Sequence, residues 1–360
     1  MTISFARGAP SVDIVDIAGL RAAAGRAFDI DPGAVAGYGP ATGYPPLREW
    51  IAARHAVPVD RVLVTNGSLQ GGAFLFEHLV RPGDEVVVER PTYDRTLFTL
   101  RNLGAKIHQV SLDADGLDVD ELRKLLAAGV RPRLAHVIPN YQNPAGVTLS
   151  LSRRHALLEL AREHDFVIFE DDPYAEIRFR GDRRPSMLSL AGAAVVHASS
   201  FTKTVCPGVR VGYLIGPEEI IEALARRAVN TYISPNMLAE VTVHQFCVSG
   251  DIERSIATVR VALAQRAAAL AQALRHELPG CRFHEPDGGY FLWVDFGADV
   301  DVERLAPAAL ARGVAIVKGT DFLLAGGGHA ARLAFSAVTP DEITEGVRRL
   351  AAAVADVRTR

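Results

Sequence analysis

The sequence has few of the features that mark secreted, membrane or nucleic-acid-binding proteins. Its only cysteines are Cys206, Cys247 and Cys281, which lie far apart and without metal-ligand spacing. This excludes a disulfide framework and indicates a reducing compartment. The N-terminus lacks the apolar stretch of a signal peptide, and no run of about 18 apolar residues occurs. We therefore expect a cytoplasmic protein with no membrane partner.

No excess of positive charge, internal repeat or low-complexity tail is present either. The 39 basic and 42 acidic residues give a formal net charge of −3, so nothing favours nucleic-acid binding. The composition, 49% hydrophobic and 22% charged, is typical of a globular protein. Because 360 residues exceed what one ordinary core accommodates, we expect one large and one smaller domain.

Strand-like and helix-like segments alternate from residue 62 to residue 215. This order predicts an α/β domain with a largely parallel sheet covered by helices. A long helical pattern over 252–278 follows, and beyond it the composition is that of an α+β unit. The long helix is therefore predicted to connect the two domains.

A lysine follows one of the predicted buried strands. Lys203 comes soon after the apolar run 194–198, among hydroxyl residues and before a Pro-Gly turn. Burial lowers the pKa of an amine, and a neutral amine attacks aldehydes. Ser200 and Arg210 could hold a phosphate nearby, which suggests pyridoxal phosphate (PLP). Taken alone, this stretch fits a surface-loop lysine with a helper arginine equally well.

Polar residues also follow other predicted strands. Ser68 begins a helix after a tight turn, where it could bind phosphate or serve as an ordinary N-cap. Tyr93 and the turn around Asn143 follow strand ends, where open α/β sheets bind ligands. Each also has an ordinary interpretation, Tyr93 as a core aromatic and Asn143 as a turn former.

Three successive carboxylates, Glu170, Asp171 and Asp172, end another apolar strand. Placing three negative charges at the end of a buried strand is unfavourable unless a cation binds there. A metal ion and a protonated pyridine nitrogen are the two candidates. No His or Cys cluster supports the metal, so no metal site is predicted.

The motifs Tyr141-Gln142-Asn143-Pro144-Ala145-Gly146, Asp171-x-x-Tyr174 and Ser200-x-x-Lys203, with Arg210 following, occur in this order. Together they resemble the fold-type I PLP-dependent enzymes, specifically class I/II aminotransferases. The similar branch includes the 2-aminoadipate aminotransferases and the aminotransferase-like domains of MocR-type regulators. The resemblance covers nearly the whole chain. It implies a large domain (36–250) with a mostly parallel seven-stranded sheet, and a small α+β domain formed by 1–35 and 251–360.

The resemblance implies a role for each motif residue around PLP. Lys203 would hold the cofactor covalently and shuttle the substrate's proton, and Asp171 would pair with the pyridine N–H. Asn143 and Tyr174 would hydrogen-bond the phenolic oxygen. Tyr93 would stack on the ring. The implied phosphate ligands are Ser68, Leu69, Gln70, Ser200 and Arg210, together with Tyr38 of a neighbouring subunit, so the resemblance implies a homodimer.

Substrate recognition is assigned by the same resemblance. Arg332, with Asn143 beside it, would clamp the α-carboxylate through its forked guanidinium. Arg95 stands two positions after Tyr93, where relatives usually carry a small residue, and is a candidate for contacting the substrate side chain. Relatives also usually carry an additional N-terminal helix, which is expected to be short or missing here. Both departures place the usual 2-aminoadipate and aromatic substrates in doubt.

The leading hypothesis is an aminotransferase that exchanges an amino group between an L-amino acid and a 2-oxo acid. A second is another PLP reaction on this scaffold, such as β-elimination, decarboxylation, racemisation or cyclisation, because a fold does not fix the reaction. A third is a non-catalytic PLP sensor, against which no DNA-binding segment is expected before Ile3. The fourth is an α/β protein without a cofactor.

Overall fold

A computed structural model describes residues 2–191 and 195–358, and gives this part of the chain 13 α-helices and 14 strands. Ala194, which begins the apolar run before Lys203, lies outside the described residues. The helices are α1 (Ile17–Ile30), α2 (Pro32–Ala36), α3 (Pro45–His55), α4 (Ser68–Leu79), α5 (Asp94–Asn102), α6 (Val119–Ala127), α7 (Leu151–His164), α8 (Met187–Ala191), α9 (Glu218–Tyr232), α10 (Met237–Val248), α11 (Asp251–Glu277), α12 (Val302–Ala311) and α13 (Pro340–Arg358). The strands are β1 (Ile3–Ser4), β2 (Val62–Thr65), β3 (Glu85–Arg90), β4 (Lys106–Asp113), β5 (Gly116–Leu117), β6 (Pro132–Val137), β7 (Val167–Asp171), β8 (Val195–Ser200), β9 (Gly212–Ile215), β10 (Arg282–Phe283), β11 (Phe291–Asp295), β12 (Val314–Ala315), β13 (Val317–Lys318) and β14 (Ala330–Ala334).

The large sheet has the order β2-β9-β8-β7-β6-β3-β4-β5. Its centre, from β8 to β4, is parallel, as the strand–helix alternation predicts. The flanking pairs are antiparallel. Only residues 201–211 join β8 to β9, which is short for a parallel crossover, so β9 reverses direction. The resemblance implied seven strands; among the described residues the eighth is β5, a two-residue strand in a tight hairpin with β4.

Helices cover both faces of this sheet, and the strands are correspondingly apolar on both sides. One face packs against α4, α5 and α9, with Phe169 and Leu214 in its core. The opposite face packs against α3, α6, α7 and α10, with Ile168 and Ile215 in its core. Because neighbouring residues of a strand alternate between faces, β7 contributes residues 167, 169 and 171 to one face and 168 and 170 to the other.

A second core surrounds the antiparallel sheet β10-β11-β14-β13 and the helices α11, α12 and α13. The first residues of the chain belong to it, since β1 pairs with β12 and the Phe5 carbonyl accepts the Ala334 N–H. Helix α1 instead places Ala23 and Ala27 in the core that contains α10. None of the described helices combines the length and the hydrophobicity that crossing a membrane requires.

Candidate active site

A cavity of about 330 Å³ opens at the carboxyl ends of β6, β7 and β8, between the large sheet and the second core. Eleven of the predicted site residues line it: Ser68, Leu69, Tyr93, Arg95, Asn143, Asp171, Tyr174, Ser200, Lys203, Arg210 and Arg332. Gln70 and Tyr38 do not line it. The Gln70 side chain instead accepts the Asn66 N–H in the turn before α4, and Tyr38 is 86% exposed.

The Lys203 side chain is half-buried in this cavity and is held in place from several sides. Its Nζ donates to the Gly8 carbonyl at 2.7 Å and lies 5.5 Å and 5.1 Å from the ring centroids of Tyr174 and Tyr290. Burial, with added repulsion from Arg332, lowers the pKa of Lys203 to about 8. A neutral, nucleophilic amine is therefore accessible near neutral pH.

Backbone and side-chain donors gather at the N-terminal end of α4. Gly67 adopts a φ of +89° just before Ser68, and a Cβ added at Gly212 would collide with the Ser68 nitrogen, so only glycine permits this close approach. The Thr202 hydroxyl accepts hydrogen bonds from the Arg210 guanidinium at 3.3 Å and from the Ser200 hydroxyl at 2.8 Å. A helix N-terminus beside an arginine and hydroxyl groups forms a cradle for a phosphate.

Asp171 ends β7 on the face that carries Phe169, and its carboxylate enters the cavity. Its Oδ1 is buried without a hydrogen-bond partner, and its Oδ2 is 3.6 Å from the Nε2 of His136. Both ring nitrogens of His136 are themselves buried without partners. An acceptor left in this condition is poised for a donor that a ligand would bring.

The other two carboxylates of the run point to the opposite face, so the three do not share one cation. Glu170 accepts from His197 Nδ1 at 2.8 Å and from two backbone N–H groups of α8, and Asp172 Oδ2 accepts from Asn140 at 2.8 Å. Burial alone would lower the pKa of His197, but its hydrogen bond to Glu170 raises it. Glu170, Asp172 and His197 lie close enough to offer ligands to a metal ion. Because both Glu170 oxygens already accept hydrogen bonds, we interpret the group as a structural ion pair.

Arg332 is 7% exposed and bridges two cavity walls. It donates to Asn143 Oδ1 at 3.0 Å and to the Ala6 carbonyl at 2.8 Å, and its Nε is buried without a partner. The guanidinium carbon lies 4.4 Å and 5.0 Å from the ring centroids of Phe291 and Phe322. A desolvated guanidinium with an unused donor suits a carboxylate.

The tyrosines and Arg95 complete the walls. Burial raises the pKa of Tyr93 to about 12 and that of Tyr174 well above its usual value, so both phenols keep their protons and can donate. The Arg95 side chain is 60% exposed at the rim, and its Nε lies 3.7 Å from Asp94. Such a loose, solvated pair leaves Arg95 free to approach another anion.

The motifs did not reveal Gly8, His136 or Thr202 as cavity residues. Thr202 lies between Ser200 and Lys203, and a hydroxyl so close to a candidate phosphate site was a usable signal. His136 lies within a predicted strand and shows its position only through strand alternation. Gly8 comes from the distant N-terminus, and nothing in its local sequence signals a contact with Lys203.

A family model described as "Aminotransferase class I and II" matches residues 3–350. A 2-aminoadipate transaminase from Thermus thermophilus is 32% identical over 98% of this chain and 90% of its own length. Aromatic-amino-acid aminotransferase 1 from Thermococcus litoralis is 32% identical over 87% of this chain and 78% of its own. The crystal structure of an α-aminoadipate aminotransferase from Thermus thermophilus, in complex with N-(5′-phosphopyridoxyl)-L-leucine, superposes with a TM-score of 0.95 at 30% identity, over 99% of this chain and 93% of that one.

Proposed function

The chain belongs to the family of class I and class II aminotransferases, and from this premise we propose that the cavity residues described above hold its cofactor and its substrate. The protein is a PLP-dependent aminotransferase of fold type I, which exchanges an amino group between an amino acid and a 2-oxo acid. The observation that carries the assignment of residues is the half-buried Lys203 amine, with its lowered pKa, in one cavity with the unpartnered carboxylate of Asp171.

The residues present fit PLP at each of its polar groups. The cradle of Ser68, Ser200 and Arg210 suits the phosphate, and Asp171 Oδ1 lacks the donor that a protonated pyridine nitrogen provides. The Tyr174 phenol remains protonated and can donate to the phenolic oxygen, as can the Asn143 amide, whose Oδ1 is already used by Arg332. Tyr93 supplies a flat ring at the cavity wall.

When bound, PLP supplies an electron-withdrawing ring to the substrate's α-carbon. Asp171 keeps the ring nitrogen protonated, because its carboxylate stabilises the positive charge there. Lys203, with an amine that can be neutral near neutral pH, is positioned to take the proton from the α-carbon and return it. The Gly8 carbonyl orients this amine when it is not covalently engaged.

Arg332 decides which bond of the substrate reacts. A guanidinium that holds the α-carboxylate places the α C–H bond, rather than the carboxylate, in the reactive orientation. This supports amino acids as substrates and favours removal of the α-proton, the first step of amino transfer, over decarboxylation. We propose that Arg95 contacts the side chain of substrates that carry a second anionic or polar group. Arg95 lies at the open rim, and Asp94 is its only ion-pair partner among the described residues.

The assembly we propose is a homodimer in which Tyr38 reaches the phosphate of the neighbouring subunit. Tyr38 is 86% exposed and lies outside its own cavity, although its loop is anchored by Gly39 and Tyr44. Mixing inactive Tyr38→Phe with inactive Lys203→Ala protein should give hybrid dimers with altered activity. A fully active monomer at assay concentration would exclude this arrangement.

We further propose a cytoplasmic enzyme of amino-acid metabolism, supported by its three free cysteines. For the domains we propose that the small domain takes the first residues, up to about Ile14, together with the chain from α11 onward. The support is packing: Ile3, Phe5 and Ile14 contact the second core, whereas α1 contributes to the core around α10.

The assignment of Lys203 is tested by trapping the cofactor. Borohydride reduction of the PLP-loaded protein, followed by peptide mapping, should place the label on Lys203, and Lys203→Ala should remove it. Lys124→Ala, in the remote helix α6, is the matched control and should keep the label. Conversion of bound PLP to its amine form by a panel of amino acids then identifies substrates. A label on another lysine, or no label, would refute the assignment.

A further inference from the structure

Two loops that line the cavity are joined by a buried pair to which nothing above assigns a role. Glu89 is the penultimate residue of β3 and Gln142 immediately precedes Asn143, and each is 1% exposed. We propose that the Glu89–Gln142 pair is a positioning unit that fixes the separation of Tyr93 and Asn143, and with it the slot for the cofactor ring. The inference rests on the proposed function of those two residues.

Glu89 holds the strand that leads into the Asn143 turn. Its Oε2 accepts the Gln142 side-chain N–H at 2.8 Å and the Ile138 backbone N–H at 3.2 Å. Ile138 directly follows β6 and lines the cavity. One carboxylate oxygen therefore secures the turn at its beginning and at the residue before Asn143.

Gln142 extends this connection to the loop that carries Tyr93. Its Nε2 also donates to the Pro91 carbonyl at 2.9 Å, two residues before Tyr93. Its Oε1 accepts the Ala145 N–H at 2.7 Å, which closes the turn on the far side of Asn143. The amide thus bonds to both sides of the slot and has no donor left over.

The pair is costly to disturb, because both of its members are buried. Burial raises the pKa of Glu89 to about 8, and the negative charge of Asp171 adds to this effect. If either side chain is removed, buried backbone and amide groups lose their partners. The turn would then relax, and Asn143 would move relative to Tyr93.

The test compares Glu89→Ala, Glu89→Gln and Gln142→Met with the wild type. Two measurements report the slot: the dissociation constant for PLP added to the apoprotein, and the pH midpoint of the visible absorption change of the bound cofactor. That midpoint depends on the donors at the phenolic oxygen, of which Asn143 is one. Thermal unfolding of the apoprotein reports stability alone.

Glu89→Ala and Gln142→Met should weaken PLP binding by roughly 10- to 100-fold, the effect of one unpaired buried group, and displace the pH midpoint. Glu89→Gln should lie near the wild type, since its amide oxygen can accept both N–H groups. The matched control is Glu342→Gln, which alters a carboxylate that accepts the Thr339 N–H at the start of α13, outside the cavity lining, and should change neither measurement.

The inference fails if the variants unfold at lower temperature but keep the wild-type PLP affinity and pH midpoint, since the pair would then be structural only. Should Glu89→Ala not fold, Gln142→Met gives the same decision. A wild-type protein that forms no Lys203 adduct would overturn the proposed function first, whereas normal wild-type binding with unchanged variants overturns this inference alone.

Discussion

The carboxyl end of β7 presents two faces that differ in how their charges are satisfied. On the cavity face, Asp171 Oδ1 has no hydrogen-bond donor among the described residues, and Lys203 is a half-buried amine with a lowered pKa. On the opposite face, Glu170 accepts three hydrogen bonds, one of them from His197. The fully paired Glu170 and the incompletely paired Asp171 are adjacent residues of the same strand.

The difference shows how a strand can carry a reactive group beside a structural one. Alternation sends adjacent carboxylates into separate environments, so the cavity face can remain incompletely paired. Unpaired buried groups reduce stability, and they persist where a ligand is to complete them. On the opposite face, hydrogen bonds from His197 and α8 satisfy the buried carboxylate of Glu170. Activity and stability should therefore respond to different members of the Glu170–Asp171–Asp172 run.

The largest effect expected on the cavity face is that of Asp171→Asn. A neutral amide cannot hold the pyridine nitrogen in its protonated form, so kcat should fall by roughly 10²- to 10³-fold. Unfolding of the apoprotein should change little, because Asp171 Oδ1 has no donor to lose and Oδ2 has only a 3.6 Å contact with His136. Steady-state kinetics and thermal melting on the same preparation check both halves. Near-normal turnover would mean that another group pairs with the pyridine nitrogen and that the two faces of β7 do not differ in function.

On the opposite face, Glu170→Gln should do the reverse. Removing one member of a buried ion pair costs about 3 kcal/mol of unfolding free energy, while kcat of the folded fraction stays within a few-fold. Denaturant titration of both proteins measures the loss. A Glu170→Gln protein as stable as the wild type, yet inactive, would show that the two faces are not separable.

The pH dependence of this loss has a defined sign. The contribution of His197 to the free energy of unfolding is complete below the unfolded-state pKa of 6.5. It is lost as the pH rises through the higher pKa of His197 in the folded protein. The contribution of Glu170 to the free energy of unfolding is complete above pH 4.5. It is lost as the pH falls through the lowered pKa of Glu170 in the folded protein. The difference between wild type and Glu170→Gln should thus be greatest between pH 4.5 and 6.5 and shrink on both sides.

Local sequence signals were sufficient to predict where the motif residues lie. The Asn143 turn, the Asp171-x-x-Tyr174 motif and Lys203 with Arg210 each lie at a strand end, and turn and strand signals locate such ends well. Most strands of the large sheet were located to within a few residues for the same reason. Family, cofactor and reaction were confirmed by the comparisons.

What could not be predicted depends on contacts between distant parts of the chain. The Gly8 and Ala6 carbonyls meet Lys203 and Arg332 only after β1 joins the second core. The separation of Glu170 from Asp171 follows from alternation, but which face holds the cavity is decided by helix packing. Helices α1 and α2 were missed, since small residues weaken their apolar pattern.

A smaller effect on the cavity face is expected from Arg332→Lys. An ammonium cannot reproduce two parallel hydrogen bonds, so KM should rise by roughly 10- to 100-fold for every amino-acid substrate, and kcat should fall less. The control is Arg282→Lys, at an exposed pair with Asp295. An unchanged KM would mean that the carboxylate is held elsewhere and that Arg332 serves only Asn143 and Ala6.

The smallest effect is expected at the rim of the cavity, where solvent screens the charge of Arg95. Arg95 is 60% exposed with a 3.7 Å contact to Asp94, so its attraction for a substrate charge is limited to about 1 kcal/mol. Arg95→Ala should lower kcat/KM up to about fivefold for amino acids with a second carboxylate, and leave alanine and leucine unchanged. Arg101→Ala, on the same helix but outside the cavity lining, controls for loss of charge from α5. An equal decrease for all substrates would mean that Arg95 shapes the cavity rather than selecting a side chain. No decrease would mean that Arg95 serves only Asp94, because a charge that reaches the substrate must discriminate between charged and neutral side chains.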